Sequence, residues 1–322
     1  MPSNAIDPIS HAIFEAVASL GAPNDPQLIA EQVLRMQKGL SAEDEFSLML
    51  SWLGKVKLVH KLDQFQIPPL SKQSYQVPDL LVVFDYEGQS IPVLVEIKTC
   101  SKSALKWRVD YWDKLKKYAT LLNLPLLVAC KWEEGPFLWT MVDIDRFKRQ
   151  DQTYKLTMEE SLYQNLMFTL AGNFALIFKK GTTLNITGHK LSEPKKTDIK
   201  NRFTTTCKLD GQLYYTDAEG KVIEETPKEV FSFFLGGEET ISFEGDQVHI
   251  KFTTLENMFR SADKVFSSLI SDGKNIQWRE ILVNFGVPKS GPEILNQAKS
   301  SKVIDKYLII KPRINPGFME KV

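Results

Sequence analysis

The stretch VPDLLVVFDYEGQSIPVLVEIK, residues 77–98, decides the fold of the first half of the chain. Two apolar runs, Asp79–Phe84 and Ile91–Lys98, flank the turn-forming segment Asp85–Ser90, and this pattern predicts a β-hairpin. Alternation along the second strand places Leu94, Glu96 and Lys98 on one face, with Val93, Val95 and Ile97 on the other. A turn centred between Glu87 and Gly88 sets Asp79 directly opposite Glu96, with Cβ atoms roughly 5 Å apart. Two carboxylates at that separation repel each other unless a cation lies between them. Charges that end apolar strands are costly unless they are paired or bound to metal.

Working outward, Ile9 to about Lys38 reads as helical, interrupted by turn formers at residues 21–26. Ser41-Ala-Glu-Asp44 has the capping-box pattern and opens a helix whose apolar stripe is Phe46, Met49, Leu50 and Leu53, stopped by Gly54. After the hairpin, Lys106–Leu122 reads as helix and Pro125–Cys130 as a buried strand. The order strand, strand, helix, strand predicts an α/β domain over residues 1–150, a mixed sheet flanked by helices. Residues 151–322 predict an α+β accessory domain. A helix is expected over Met158–Leu170, and hairpins are expected to turn at Glu219-Gly220 and Gly245-Asp246. Further on come a helix–turn–helix-like stretch over 280–299 and an end strand at Tyr307–Ile310.

A hydrophobic fraction of 43% with 25% charged residues marks a folded globular chain. Forty basic and forty acidic residues cancel, so an acidic partner has to be argued from local patches. Such a patch follows the hairpin. Lys98, Lys102, Lys106, Arg108, Lys114, Lys116 and Lys117 face only Asp110 and Asp113, and Trp107, Tyr111, Trp112 and Tyr118 interleave with them. Lysines and arginine at this density suit phosphate-backbone binding, through Lys102, Lys106, Arg108, Lys114 and Lys117; Trp112 and Tyr118 read as core. Residues 216–246 balance it with nine acidic residues against two lysines, a solvated acidic face.

Three scattered cysteines (Cys100, Cys130, Cys207) and four histidines without ligand spacing argue against a zinc site and fit a reducing compartment. No leader-like segment or apolar run long enough for a membrane span occurs, so a cytoplasmic protein is expected. Nucleophile-elbow and glycine-rich phosphate-loop patterns are both missing, which disfavours a serine or cysteine hydrolase and an ATP-driven enzyme. Cys100 and Cys130 read as small buried side chains.

Paired carboxylates are hard oxygen ligands that suit Mg²⁺, with Mn²⁺ as a substitute, and Lys98 stands where it can orient or deprotonate a water. Val77-Pro78-Asp79, a gap of sixteen residues, then Glu96-Ile97-Lys98 resembles the signature of the PD-(D/E)XK nuclease superfamily, which includes restriction endonucleases and Holliday-junction resolvases. The resemblance covers roughly residues 40–135. It implies a restriction-endonuclease-like core with Asp79, Glu96 and Lys98 as catalytic residues. It also implies metal held by Asp79, Glu96 and the Ile97 carbonyl, with Glu43 or Glu45 adding a carboxylate from the preceding helix. Where family helices after the motif often carry Gln and Tyr, this chain has Lys114 and Tyr118.

The expected activity is Mg²⁺-dependent hydrolysis of DNA phosphodiesters by an endonuclease of restriction, defence or repair type. Residues 151–322 would select substrate, or mediate a homodimer or a partner protein. Two other readings stay open: a nuclease-fold protein that binds nucleic acid or assembles without cutting, and an RNA-cleaving enzyme. The plainest reading of the motif is a surface hairpin bearing a Glu96–Lys98 ion pair.

Overall fold

Glu87 and Gly88 both take positive φ, 52° and 83°. That is the mirror-image two-residue turn whose twist matches flanking strands, and it fixes the hairpin's register. The structure, a computed structural model, describes residues 42–135, 137–192, 195–196, 203–204, 206–208, 210–224, 238–255, 259–269, 291–300 and 304–308. Residues 42–53 form helix α1, followed by β1 (Val56–Lys61), β2 (Leu80–Tyr86), β3 (Gln89–Cys100) and β4 (Ala104–Arg108). Then come α2 (Val109–Leu122), β5 (Leu126–Trp132), β6 (Trp139–Asp143), β7 (Lys148–Gln150), β8 (Thr153–Thr157) and α3 (Met158–Tyr163).

Five strands make the principal sheet in the order β1-β2-β3-β5-β6. All neighbours are antiparallel except β3 and β5, which pair in parallel through the β4–α2 crossover. The sheet is therefore mixed and flanked by helices, as the sequence predicts. Strand β3 is central and Ile91 and Val93–Ile97 are buried, so the motif does not lie on a surface hairpin. In α1, Phe46, Met49, Leu50 and Leu53 are all buried, and Gly54 at φ 78° ends the helix. Asn123 closes α2 in the left-handed conformation.

Two element boundaries differ from expectation for local reasons. The helix expected from Lys106 starts at Val109. Over Ala104–Arg108, Trp107 is buried while Lys106 and Arg108 are exposed, a period of two that suits a strand, and β4 pairs with β8. The helix expected over Met158–Leu170 stops at Tyr163 despite its Thr157–Glu160 capping box. Asn165 then turns its side chain onto backbone, accepting from the amides of Met141 at 3.0 Å and Met167 at 3.1 Å, and a separate wide turn forms over Met167–Ala171.

The described residues up to Gly172 form one compact unit and those from Asn173 onward a second. In the second unit, Thr183–Lys190 lies between Leu213–Thr216 and Gln247–Thr253, which pair respectively with Val222–Ile223 and Glu238–Glu244, so both expected hairpins are present. A smaller sheet centres on Ala175–Phe178 between Phe259–Ser261 and Ile304–Leu308. Helices cover Ala262–Leu269 and Gly291–Ser300. The helical reading of residues 9–38, the cap at Ser41, the 280–290 half of the helix–turn–helix-like stretch and residues 309–310 lie outside the described residues.

Candidate active site

The β2–β3 ladder pairs Leu80 with Val95, Leu81 with Leu94, and so on to Tyr86 with Gln89, without a break at Pro92. One step further, Asp79 comes opposite Glu96. There the ladder gives way to a side-chain bond: the Ile97 amide donates to Asp79 Oδ2 at 2.6 Å. The carboxylate of Asp79 is thus anchored to the backbone of the strand that bears Glu96 and Lys98.

Glu96 is 1% exposed. Its Oε1 accepts from the Lys98 ammonium and from the Tyr111 hydroxyl at 2.5 Å. Its Oε2 is buried and has no hydrogen-bond partner. A buried carboxylate oxygen without a donor is costly, and this one adjoins a second carboxylate. Burial first, and the Glu96 charge next, hold Asp79 well above the ordinary carboxylate range; Lys98 and the Ile97 amide oppose them. Burial works against the Lys98 charge, yet Glu96, Tyr111 and Asp79 leave its ammonium above the usual lysine range. Burial and the Glu96 charge likewise push the Tyr111 phenol up. Lys98 is therefore a fixed cation here, suited to orienting water and countering negative charge rather than to taking a proton. Aromatic rings steady the group: Lys98 Nζ lies 5.5 Å from the Tyr111 centroid and 6.0 Å from that of Trp107, which stacks on Phe147 at 4.8 Å.

The two carboxylates proposed from α1 separate. Residues two apart on a helix point about 200° apart, so only one of Glu43 and Glu45 can face the site. Glu43 does: it is half-buried, pairs with Lys61 at 3.6 Å, and its charge acts on Asp79. Burial raises its carboxyl above the ordinary range, against the Lys61 charge. Glu45 is fully buried, bonded to Lys131 and accepting from Trp139 Nε1 at 3.3 Å. Its assignment as a metal ligand is corrected, because its oxygens are held by these partners on the other side of the helix.

Among the described residues, no three His, Cys, Asp or Glu side chains already converge as a metal cage. The donor set does fit a hard cation in one respect: Glu96 Oε2, from within β3, and the Asp79 carboxylate, just before β2, meet where the β2–β3 ladder ends beside the Ile97 backbone, with Glu43 near enough to act electrostatically.

The basic residues spread over two elements and the turn before them. Lys102 lies in the β3–β4 turn, Lys106 and Arg108 are exposed on β4, and Lys114 and Lys117 sit on α2. Lys114 is engaged with Asp110 at 3.1 Å, while Lys117 is exposed. Trp112 stacks on Tyr154 at 4.1 Å and Tyr118 packs on the core, as their apolar spacing suggests. Cys100 and Cys130 are both buried, and the bond to Cys100, then burial, raises the Cys130 thiol.

The sequence reading misses the Tyr111–Glu96 bond. Its one signal is that Tyr111 opens α2 directly after β4, and aromatic residues near helix starts are too common to single it out. Also missed are the pairing of Glu45 with Lys131 and a clasp of glutamines, Gln64 and Gln76, around the residues before Asp79.

No family model matches the chain, and no curated protein does. A solved structure of a Holliday junction resolvase from the archaeal hyperthermophile Archaeoglobus fulgidus matches at 14% identity and a TM-score of 0.31, covering 38% of this chain and 92% of that one. No helix among the described residues is long and apolar enough to cross a membrane.

Proposed function

We propose that the chain is a Mg²⁺-dependent nuclease that hydrolyses DNA phosphodiester bonds, with its centre at Asp79, Glu96 and Lys98. The observation that carries this reading is the donorless Oε2 of buried Glu96, placed beside the Asp79 carboxylate where the β2–β3 ladder ends and next to a lysine that keeps its charge. Resemblance of the motif to the PD-(D/E)XK superfamily supports it. Asp79, Glu96 Oε2 and the Ile97 carbonyl would hold the ion, with Glu43 as a further carboxylate. Bound there, Mg²⁺ supplies positive charge against the charge that builds on the phosphate and makes a nearby water more acidic.

The protein's own groups do the rest. Asp79 is fixed by the Ile97 amide, so its second oxygen has a set direction. Tyr111 and Lys98 hold Glu96 Oε1, which leaves Oε2 for the ion. Lys98 then orients the attacking water and offsets the phosphate's negative charge. Lysines and arginine on β4 and α2 bind the backbone, and residues 151–322 serve substrate selection or assembly.

The test is incubation of the full chain with plasmid, linear duplex, single-stranded DNA and RNA, with Mg²⁺ or EDTA. Asp79→Ala, Glu96→Ala and Lys98→Ala are each expected to abolish Mg²⁺-dependent cleavage with the fold intact. The first two also weaken Mg²⁺ binding by calorimetry, whereas Lys98→Ala keeps it. Cleavage by Asp79→Ala at the wild-type rate refutes the assignment.

A second reading, nucleic-acid binding without cleavage, has one observation in its favour: Glu96 Oε1 already has two donors and no three acids converge among the described residues. Absence of Mg²⁺ binding in the calorimeter selects it.

A further inference from the structure

Between β1 and β2 the chain makes a long excursion, residues 62–79, whose two stems meet at the site. The Leu62 amide donates to the Asp79 carbonyl at 2.9 Å, and the Gln64 side chain donates to the Val77 carbonyl at 3.1 Å. The Gln76 amide reaches the Lys114 carbonyl at 3.3 Å, and its side chain donates to Gln64 Oε1 at 3.0 Å. Further out, Ser71 donates to Gln66 Oε1 at 3.0 Å and a short helix spans Pro69–Gln73. This is a braced finger. Yet it carries Phe65, Ile67 and Leu70 at 69%, 78% and 70% exposure. Three large apolar side chains so exposed within six residues, on a loop held by its own hydrogen bonds, are not explained by core packing.

We propose that this finger is a binding element for unstacked nucleotides, which Phe65, Ile67 and Leu70 meet as the backbone is delivered to Asp79 and Glu96. The inference rests on the nuclease reading and names its substrate class: DNA with splayed or unpaired bases near the cut, such as forks, bulges and junctions. Three observations favour bases over a protein surface. The finger is continuous with the site: Phe65 lies three residues from Leu62, so its Cα is within about 11 Å of the stem that bonds to Asp79, the span of about three nucleotides. Lys72 is exposed at the finger's tip and can meet a phosphate flanking an opened step, while at the base Lys61 is paired with Glu43 and Asp44 and Lys114 with Asp110. And an aromatic with aliphatic neighbours is the composition that stacks on, or wedges between, bases without regard to sequence.

The test uses the full chain in EDTA, so that binding is read without cleavage. Fluorescence anisotropy compares a perfect duplex with a forked duplex of equal length that carries 2-aminopurine at the branch. Wild type is expected to bind the fork more tightly and to quench the 2-aminopurine. Phe65→Ala should lose about tenfold in fork affinity, with the quench, while duplex affinity and the salt slope stay unchanged. The triple variant Phe65→Ser, Ile67→Ser, Leu70→Ser, built at exposed positions, should erase the preference altogether.

Equal fork affinity in wild type and the triple variant overturns the proposal, and Mg²⁺-dependent plasmid cleavage retained in that variant leaves the nuclease reading standing. Failure of wild type to bind any DNA, together with no cleavage, overturns both. A sedimentation mass that falls from dimer to monomer in the triple variant, with DNA discrimination intact, overturns it too and makes the finger an interface between two copies.

Discussion

Replacing Asp79 by asparagine should stabilise the metal-free protein while destroying its activity. Opposed positions on antiparallel strands set the two carboxylates roughly 5 Å apart, and at an effective dielectric of about 20 their repulsion is on the order of 3 kcal/mol. Attraction to Lys98 cancels part of it, leaving about 1–2 kcal/mol. The amide oxygen of an Asp79→Asn side chain still accepts from the Ile97 amide, so no hydrogen bond is given up. For a unit of this size the midpoint should rise by about 2–6 °C in EDTA.

The pH dependence has a fixed sign. A carboxyl held above its ordinary value of 3.8 is tolerated in the fold at acid pH and becomes costly as pH rises through its raised value. The advantage of the variant is thus greatest at neutral and alkaline pH and shrinks in acid. Mg²⁺ reverses the order: at a hundredfold excess over its Kd it adds about 2.7 kcal/mol to wild type, and much less to the variant. Calorimetric melts of both proteins, in EDTA and in excess Mg²⁺ across pH, decide it. A variant less stable than wild type in EDTA at neutral pH refutes the opposed-carboxylate reasoning.

Lys131→Met leaves the Glu45 carboxylate buried without its cation and should cost about 3–5 kcal/mol in urea unfolding, while adding Glu45→Gln recovers most of the loss. Neutralising Lys106, Arg108 and Lys114 together should weaken DNA binding equally across sequences and lower the salt slope by about one for each phosphate no longer neutralised; an altered sequence preference at unchanged slope counts against backbone binding. Thr157→Ala should cost about 1 kcal/mol of thermal stability by removing the cap of α3. The Glu160 carboxyl, lowered to about 2 by Lys148 and Thr157, contributes stability above its ordinary value of 4.5 and loses it as pH falls through about 2, so acid titration should narrow the gap between wild type and Thr157→Ala only by the hydroxyl–carboxylate bond and leave the neutral cap's share.

The hairpin and its register were legible because two short-range rules fix them: alternation along each strand, and a two-residue turn that Glu87-Gly88 satisfies. The stripe in α1 was legible for the same reason. What escaped depends on approach between distant segments. Lys106 and Arg108 match helical and strand periods equally well over so short a run, and only pairing with β8 settles them. Glu43 and Glu45 are equivalent until the helix's rotation about its axis is known, which Lys131 and Trp139 determine from far along the chain. Tyr111 belongs to the site through the direction in which α2 leaves β4, a tertiary fact.

The turn at Glu87-Gly88 lies seven strand residues from Asp79, about 24 Å along β2. It measures out the centre like a ruler whose far end is free. Strands β1 and β5 clamp the hairpin on both sides, so the tip can be lengthened without sliding one strand past the other. A residue added to both strands lengthens the ribbon and leaves the motif in place, whereas one added to β3 alone between the tip and Glu96 turns the acid over to the wrong face. Peptide tags and reporter fusions therefore belong at the tip, although the native turn itself needs Gly88 at its φ of 83°. Spacing between Asp79 and Glu96 is free to vary in even steps only.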